Sequence, residues 1–205
     1  MKNRINLFLF CVVYVLAITV GCSNLIGTHV MIAPTSPDVL QVSDTKYPLS
    51  VYSPPDDILC AYKFEHAKAG ARSTIEIGNA VCENEKLVLS SLFEKSKYHE
   101  NLPQNEVNQY DLVMKSKIVD ASIVIRFGFP ARMEAIVIYE FSIENPQGEV
   151  VMVRNIQVLG VPHSFSTAEG MYKQAMREAI DSLFLEFSQS IQNSFELRKL
   201  VESKS

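Results

Sequence analysis

A long apolar stripe near the C-terminus constrains the fold more than any other feature of the sequence. Its members recur at i, i+3, i+4 and i+7 over more than six turns of about 3.6 residues each. They are Ala168, Met171, Tyr172, Ala175, Met176, Ala179, Ile180, Leu183, Phe184, Phe187 and Ile191. Ser166 and Glu169 have the spacing of a capping box, in which each side chain satisfies a free backbone N–H. The sequence therefore predicts a helix over residues 166–195 whose apolar face lies on a sheet.

The strands of that sheet are predicted upstream of the helix. Alternating apolar and polar residues favour strands at 46–52, 58–66, 74–77, 110–118, 123–127, 135–143 and 149–161. Between the last two, the segment Asn145-Pro146-Gln147-Gly148 predicts a tight turn, because proline presets φ and glycine accepts a positive φ. These two strands should therefore form a hairpin that leads into the final helix.

A first helix is predicted between the early and the late strands. Asn79 is a suitable N-cap residue. One face carries apolar residues at helical spacing, namely Val81, Val88, Leu89, Leu92 and Phe93. Glu83 and Glu85 near the start, with Lys95 and Lys97 near the end, would complement the helix dipole. We therefore expect this helix to include Lys97 and to stop before Asn101-Leu102-Pro103.

This order of elements predicts an α+β fold. We expect a two-layer sandwich, in which an antiparallel or mixed sheet carries two helices on one face. Residues 45–205 should form a single domain, which is long enough to bury a sizeable core. Pro34 and Pro37 interrupt the preceding segment, so residues 22–44 are predicted to be a tether, with a short extended piece at residues 29–32.

The N-terminal segment has the composition of a secretory signal. Lys2 and Arg4 form a positive head, residues 5–20 are almost wholly apolar, and small residues precede Cys22. The apolar run is shorter than the roughly 20 residues that a membrane-spanning helix needs. Residues 1–21 are therefore predicted to be a signal peptide, and the alternative is an uncleaved anchor helix with an incidental cysteine.

This segment resembles the bacterial lipoprotein signal, in which small or aliphatic residues precede an invariant cysteine. The resemblance implies that Cys22 is acylated and becomes the first residue of the mature chain. Each buried methylene of an acyl chain contributes about 0.8 kcal/mol, so several chains hold a protein on a membrane durably. Ser23 follows the cysteine where an aspartate would imply retention at the inner membrane. The resemblance thus implies the outer membrane, with the domain facing the periplasm.

Two cysteines remain after Cys11 leaves with the signal and Cys22 takes the lipid. Cys60 and Cys82 form an even pair in an oxidising compartment, where disulfides persist. A bridge between them could contribute roughly 3 kcal/mol in the chain-entropy model. The alternative is two separate buried thiols that behave as small hydrophobic side chains.

Charge and motif content disfavour several classes of function. Loss of Lys2 and Arg4 leaves 17 basic and 23 acidic side chains, a net charge of −6, with no basic cluster of the kind that binds nucleic acid. The four histidines are scattered without the spacing of a zinc site. There is no nucleophile elbow and no phosphate-binding glycine loop. We therefore expect no enzyme, no metal and no cofactor.

The order of elements is similar to that of small periplasmic lipoproteins, including the auxiliary lipoproteins of ABC-type transporters and the lipopolysaccharide-assembly lipoprotein. This resemblance implies a non-enzymatic accessory or structural component of an envelope assembly or transport machine, with an envelope protein as partner. Two docking features are candidates, an exposed strand edge open to β-augmentation and the segment containing Phe195, Leu197, Leu200 and Val201. Deletion of residues 195–205 should then leave the domain folded.

Two other functions remain open from the sequence. The first is a periplasmic carrier that holds a lipid or another apolar ligand between the sheet and the helices. The second is an envelope hydrolase. A co-purified small molecule would distinguish the carrier, and turnover abolished by a single polar substitution would distinguish the hydrolase.

Overall fold

The computed structural model describes residues 29–39, 46–68, 71–98, 100–126, 132–163 and 168–204. In chain order its strands are β1 (His29–Met31), β2 (Tyr47–Ser53), β3 (Lys63–Lys68), β4 (Ala71–Glu76), β5 (Phe93–Tyr98), β6 (Leu112–Arg126), β7 (Arg132–Glu144) and β8 (Val150–Gly160). Its helices are α1 (Asp57–Cys60), α2 (Gly78–Leu92), α3 (Gln104–Val107), α4 (Ala168–Gln192) and α5 (Phe195–Lys204).

The strands form two mixed sheets. The larger has the order β5-β2-β6-β7-β8, with β2 parallel to both of its neighbours and β6, β7 and β8 antiparallel. The smaller has the order β1-β4-β3, with β1 parallel and β3 antiparallel to β4. The predicted α+β class is confirmed. The sheet is divided in two because β1, β3 and β4 satisfy their backbone groups with one another.

The hairpin of β7 and β8 forms where the turn residues predict it. The Asn145 backbone N–H donates to the Glu149 carbonyl over 2.8 Å. The Asn145 side-chain oxygen also accepts from the backbone N–H groups of Gln147 and Glu149. Gly148 has a φ of +88°, a conformation that glycine adopts at no steric cost. Local residues therefore determine this register.

Both long helices pack on one face of the larger sheet, as the sequence predicts. The ring of Tyr139 on β7 lies 6.1 Å from that of Phe184 and 5.8 Å from that of Phe187, both on α4. Its hydroxyl donates to Glu85 of α2. Phe141 and Phe187 meet edge to face at 4.7 Å, within the range that aromatic pairs prefer. All five side chains are at most 1% exposed, so the layer between sheet and helices is filled.

Glycine at the end of β8 allows the long helix to approach the sheet closely. A Cβ atom at Gly160 would lie 2.0 Å from the Ala175 carbonyl oxygen and 2.4 Å from the Ala179 nitrogen. Both alanines are fully buried. Small residues on both sides of this contact therefore hold α4 against β8.

The first helix differs from its predicted bounds. It starts at Gly78 after Ile77, which makes no side-chain capping bond, so Asn79 is not the N-cap. It also ends at Leu92, and Lys95 and Lys97 belong to the edge strand β5, which pairs parallel with β2. Residues 93–98 form a strand instead of extending the helix, because pairing with β2 satisfies their backbone hydrogen-bonding groups.

The domain starts earlier than the predicted Thr45. Val30 in β1 is 2% exposed, Ile32 is 5% exposed, and the Ile32 N–H donates to the Glu76 carbonyl over 3.1 Å. Part of the predicted tether, residues 22–44, is therefore a strand of the smaller sheet. This strand coincides with the short extended piece predicted at residues 29–32, and its pairing with β4 makes that piece part of the domain.

The final helix is divided in two. The predicted capping residue Ser166 lies outside the described residues, and α4 ends at Gln192. The hydroxyl of Ser194 then accepts from the Leu197 N–H over 3.2 Å and caps a separate helix, α5. The change of direction lets α5 cross the end of the sheet instead of continuing along it.

Candidate functional site

The predicted lipid site is close to the folded domain in sequence. Cys22 lies outside the described residues, and His29, seven residues later, already pairs with Thr74 of β4. If Cys22 carries the lipid, the connection to the domain is therefore much shorter than the predicted tether.

A polar cluster holds the N-terminal segment against both long helices. The side chain of Asn84 on α2 accepts from the Thr35 N–H over 2.8 Å and donates to the Thr35 hydroxyl over 2.7 Å. That hydroxyl donates to Asp181 of α4 over 2.6 Å. Arg177 pairs with Asp181 and donates to the Ala33 carbonyl over 3.0 Å. Thr35 is 2% exposed, so this cluster fixes where the chain enters the domain.

The disulfide favoured from the sequence is present. Cys60 and Cys82 join α1 to α2, with their Cα atoms 5.5 Å apart. Asp56, at the predicted Pro-Pro-Asp-Asp turn, accepts from the Leu59 N–H and caps α1. The bridge and the cap together hold this short helix on the start of α2.

A cleft of about 230 Å³ lies beside the bridge. It is lined by Met31, Ile32, Cys60, Ala61, Tyr62, Lys63, Glu76, Gly78 and Asn79.

A fully buried carboxylate connects α2 to three strands of the larger sheet. Glu85 is 0% exposed. It accepts hydrogen bonds from Ser53 of β2 over 3.1 Å, Ser116 of β6 over 2.8 Å and Tyr139 of β7 over 2.9 Å. This cluster, the Glu85 node, is thus a polar cross-link inside an apolar core.

A small cavity lies beside the Glu85 node. β2 and β6 pair only at Val51–Leu112 and Tyr52–Val113, and the chain then leaves β2 through Pro54. The gap between the diverging strands is a cavity of about 260 Å³ lined by Ser53, Pro54, Pro55, Asp56, Met114, Lys115 and Ser116. Two hydroxyls of the node therefore lie at its wall.

The electrostatics of the node keep the Tyr139 phenol neutral, so that its hydroxyl donates a hydrogen bond. Burial raises the pKa of Tyr139 well above its usual value, and the nearby Glu85 carboxylate raises it further. The phenol therefore stays protonated and available as a hydrogen-bond donor. The arrangement can hold strands and helix in register, and Ser53 and Ser116 can present hydroxyl groups to a small polar molecule in the cavity.

The position of Glu85 in the sequence is a signal for the node. Its place near the helix start predicts an interaction with the helix dipole, but it also lies four residues after Val81 and four before Leu89, within the apolar face. An acidic residue at such a position indicates a buried polar contact. Ser53, Ser116 and Tyr139 lie 31 to 54 residues away from it in sequence, so no local pattern could identify them.

The C-terminal helix closes one end of the sandwich. Glu196 near its start pairs with Arg154 of β8 over 3.0 Å, and Lys204 near its end pairs with Asp111 just before β6. Leu197, with 0% exposure, enters the core. α5 therefore spans the end of the sheet from β8 to β6.

Two carboxylates at this end have lowered pKa values. A hydrogen bond from its own backbone N–H, with those from Arg154 and Ser194, lowers the pKa of Glu196 to about 2. Burial acts to raise the pKa of Asp111, but hydrogen bonds from Lys204 and from Ser50 outweigh it and lower the pKa. Both side chains thus stabilise the contacts of α5 with the end of the sheet when they are ionised.

The predicted docking segment at the C-terminus needs correction. Of its four residues only Phe195 is largely exposed, at 74%, whereas Leu197 is buried and Leu200 and Val201 pack against the core. Helical spacing turns three of the four towards the domain once the chain bends at Ser194. Removal of residues 195–205 would therefore open the core, contrary to the expectation that the domain stays folded.

The other predicted docking feature, an exposed strand edge, is present at β8. This strand of eleven residues is at the end of the larger sheet, and within the described residues no strand pairs with its outer side. Its exposed apolar side chains are Val150 at 60%, Val153 at 49% and Leu159 at 50%. Arg154 is its single charged residue, and its partner Glu196 is next to Phe195. The edge and Phe195 thus belong to one corner of the molecule.

The histidines have separate surroundings in the described part of the chain. His29 pairs with Glu76, His163 pairs with Glu178, and the ring of His66 lies 5.3 Å from that of Tyr172. His99 lies outside the described residues. Across the ranges that the structure describes, no three His, Cys, Asp or Glu side chains are grouped as a metal site would require.

None of the described helices combines the length and the apolar character needed to span a membrane.

Comparison with known proteins gives only distant likenesses. No family model matches the sequence, and no curated protein matches it. A Xanthomonas campestris protein of the family DUF330 has 11% identity, covers 87% of this chain and 100% of its own, and has a TM-score of 0.47. A minor lipoprotein of Acinetobacter baumannii has 11% identity, covers 71% of this chain and 92% of its own, and has a TM-score of 0.43. The lipoprotein GNA1162 of Neisseria meningitidis has 7% identity, covers 82% of this chain and 99% of its own, and has a TM-score of 0.34. The function of this chain is therefore inferred from its own residues and geometry.

Proposed function

We propose that this chain is a lipoprotein anchored through Cys22 to the outer membrane, where its domain faces the periplasm. In this proposal it is a non-enzymatic accessory or structural component of an envelope assembly or transport machine. The signal-like segment before Cys22 supports the anchor. The disulfide between Cys60 and Cys82 supports an oxidising compartment.

The observation that carries the docking role is the edge of β8. Soluble proteins usually protect long edge strands with charges, prolines or short length, because an open edge pairs with other chains. β8 has eleven residues, one charge and no proline. Such an edge suits β-augmentation, in which a partner adds a strand through main-chain hydrogen bonds while side chains such as Val153 select it.

Site-specific crosslinking in cells tests this docking role. A photoreactive amino acid at Val153 should form an adduct with one envelope protein, because this side chain is exposed on the edge strand. The same amino acid at Ile58, which is 83% exposed on α1, serves as the control. Val153→Lys with Leu159→Lys should abolish binding of the purified partner, whereas Ile58→Lys should not. Equal adducts at both positions would contradict the docking role.

The anchor has an independent test. The intact mass of the protein from the membrane fraction should fit a chain that begins at an acylated Cys22. Cys22→Ala should move the protein out of that fraction, because it removes the side chain that carries the acyl chains. An unmodified N-terminus, or an unchanged location of the variant, would contradict the anchor.

The alternative of an apolar carrier requires space between the sheet and the helices, and in the described part of the chain this layer is filled. The layer between sheet and helices is occupied by Tyr139, Phe141, Phe184 and Phe187, each at most 1% exposed. We therefore favour docking over ligand transport. Native mass spectrometry of the purified protein should show no co-purified lipid, and a stoichiometric lipid besides the anchor would favour the carrier.

A further inference from the structure

The outer side chains of β8 follow a pattern that is the same in both directions along the strand. Met152, Ile156 and Val158 point into the core, each at most 5% exposed. On the opposite face, the exposed side chains are apolar, amide, amide and apolar in turn. They are Val153, Asn155, Gln157 and Leu159. An antiparallel copy of β8 would therefore present the same kinds of side chain to this edge.

The geometry of antiparallel pairing restricts how two copies of β8 could meet. Residues that lie directly opposite each other have their side chains on the same face, so a two-fold axis must pass through a residue. With the axis at Ile156, Val153 of one copy is opposite Leu159 of the other. Asn155 is then opposite Gln157. An axis one residue earlier would place Val153 opposite Gln157, so the axis at Ile156 matches the side chains better.

The charge carried by β8 does not oppose this pairing. Arg154 is the single ionisable residue of the strand, and it pairs with Glu196 of its own copy over 3.0 Å. With the axis at Ile156, the two copies of Arg154 are four positions apart on paired strands, a distance of about 14 Å. This distance exceeds the Debye length of about 8 Å at physiological ionic strength. On the neighbouring strand β7, Glu140 pairs with Lys117 of β6.

The other edge of the larger sheet is protected by charge. β5 carries Glu94, Lys95 and Lys97, and charged side chains on an edge strand discourage pairing with another chain. Pairing of β8 with β5 would also be head to tail, and each added copy would leave a free edge for the next. Pairing of β8 with itself closes the assembly at two copies.

We propose that a second copy of this chain occupies the β8 edge, in an antiparallel pair centred on Ile156. This inference rests on the proposed docking role of the edge and names its occupant. Residues 152–160 of both copies would join two sheets of five strands into one of ten. About eight to ten main-chain hydrogen bonds would form, because alternate pairs of opposite residues exchange two each.

The size of the contact indicates a weak dimer. The paired segment is about 30 Å long, and a sheet layer with its side chains is about 10 Å thick. The edge therefore buries on the order of 300 Å² per copy, against roughly 800 Å² in a stable interface. Phe195, which is 74% exposed beside Glu196, adds apolar surface at the same corner. We expect copies that exchange, so covalent trapping is the suitable test.

Disulfide trapping in cells tests the register. Two differently tagged copies of the full chain are expressed together, one with Val153→Cys and the other with Leu159→Cys, at positions 49% and 50% exposed. A covalent dimer should form between the two copies, whose substituted positions face each other. Neither copy expressed alone should form one, because each position is about 20 Å from its own symmetry mate, beyond the roughly 7 Å that limits a disulfide. Val153→Cys with Asn155→Cys is the matched control and should yield about tenfold less dimer, since these positions are about 14 Å apart.

The outcomes separate this inference from the docking role itself. A photoreactive adduct at Val153 with a different protein, without the covalent dimer, would overturn the second copy as the occupant and retain the docking role. Absence of both products would overturn the inference and the docking role together. Equal amounts of dimer in the matched control would overturn the pair centred on Ile156.

An exchange of charges tests the same pair without introduced cysteines. Val153→Lys with Leu159→Lys places like charges opposite each other twice per dimer and should lower the amount of dimer about tenfold. Val153→Lys with Leu159→Glu places each introduced lysine opposite an introduced glutamate of the second copy and should restore most of the dimer. A photoreactive amino acid at Gln157, which is exposed, measures the dimer in cells for both variants. Equal melting temperatures would establish that both are folded, and no recovery in the lysine–glutamate variant would then overturn the proposal.

Discussion

Removal of the Glu85 carboxylate should cost more stability than any other single polar change in the described domain. In Glu85→Ala, the hydroxyls of Ser53, 2% exposed, and Tyr139, 0% exposed, lose their acceptor inside the core. Each buried group left without a partner costs about 1–3 kcal/mol. The lost side chain adds a cavity, while the relieved burial of a polar group acts in the opposite direction. We expect a loss of about 3–5 kcal/mol in the free energy of unfolding.

The size of this loss can be measured by urea denaturation of the oxidised protein, followed by circular dichroism. Domains of this length lose roughly 2–4 °C in Tm per kcal/mol, so Glu85→Ala should lower Tm by about 6–20 °C. Glu85→Gln keeps the shape and one acceptor oxygen and should cost only about 1–2 kcal/mol. A larger loss of stability in Glu85→Ala than in Glu85→Gln would show that the hydrogen-bond acceptors at this position stabilise the fold.

Two controls make the reasoning refutable. Glu83→Ala removes an exposed carboxylate two residues away on the same helix and should change stability by less than about 0.5 kcal/mol. The double variant of Glu85→Ala with Tyr139→Phe should cost less than the sum of the single changes, because the second change removes the unpaired phenol. If Glu85→Ala matched Glu83→Ala, or if the two changes were additive, the node would not be a stabilising cross-link.

Other predictions concern the bridge and the C-terminal helix. Cys60→Ser with Cys82→Ser should lower the free energy of unfolding by roughly 3 kcal/mol in urea titrations, because their sequence separation is 22 residues; an unchanged midpoint would exclude a stabilising bridge. Leu197→Ala should cost about 2–5 kcal/mol since this side chain is 0% exposed, and a Tm equal to that of wild type would contradict closure by α5. The lowered pKa of Glu196, about 2 against 4.5, means that its stabilisation is present above pH 4.5 and is lost as the pH falls towards 2. The Tm difference between wild type and Glu196→Gln should therefore shrink over that range, and a constant difference would refute the ionised contact.

Prediction from sequence succeeded where the determinants are local. The apolar stripe of α4 recurs with helical periodicity, and nearly every member that the structure describes is buried against the sheet. The β7–β8 hairpin follows from a turn whose Asn145 and Gly148 stabilise it with their own bonds and backbone conformation. Periodicity and turn chemistry are properties of adjacent residues, so they can be recognised before the fold is known.

Prediction failed where a distant partner decides the structure. The segment 93–98 has the composition of a helix end, yet pairing with β2 makes it a strand. The sequence predicts a short extended piece at residues 29–32 within a tether, but this piece is a strand of the domain because β4 offers it a parallel edge. Leu197 is predicted to be part of a docking segment, but it is a core residue because the chain turns at Ser194.

The sequence by itself determined the α+β class, the positions of the long helix and the hairpin, and the pair of cysteines able to form a bridge. Only the tertiary structure decided the division into two sheets, the closing role of α5, the free edge at β8 and the partners of Glu85. The physical reason is that hydrogen bonds between strands and around a buried carboxylate join residues dozens of positions apart. Their formation depends on which surfaces meet after the helices and hairpins have packed.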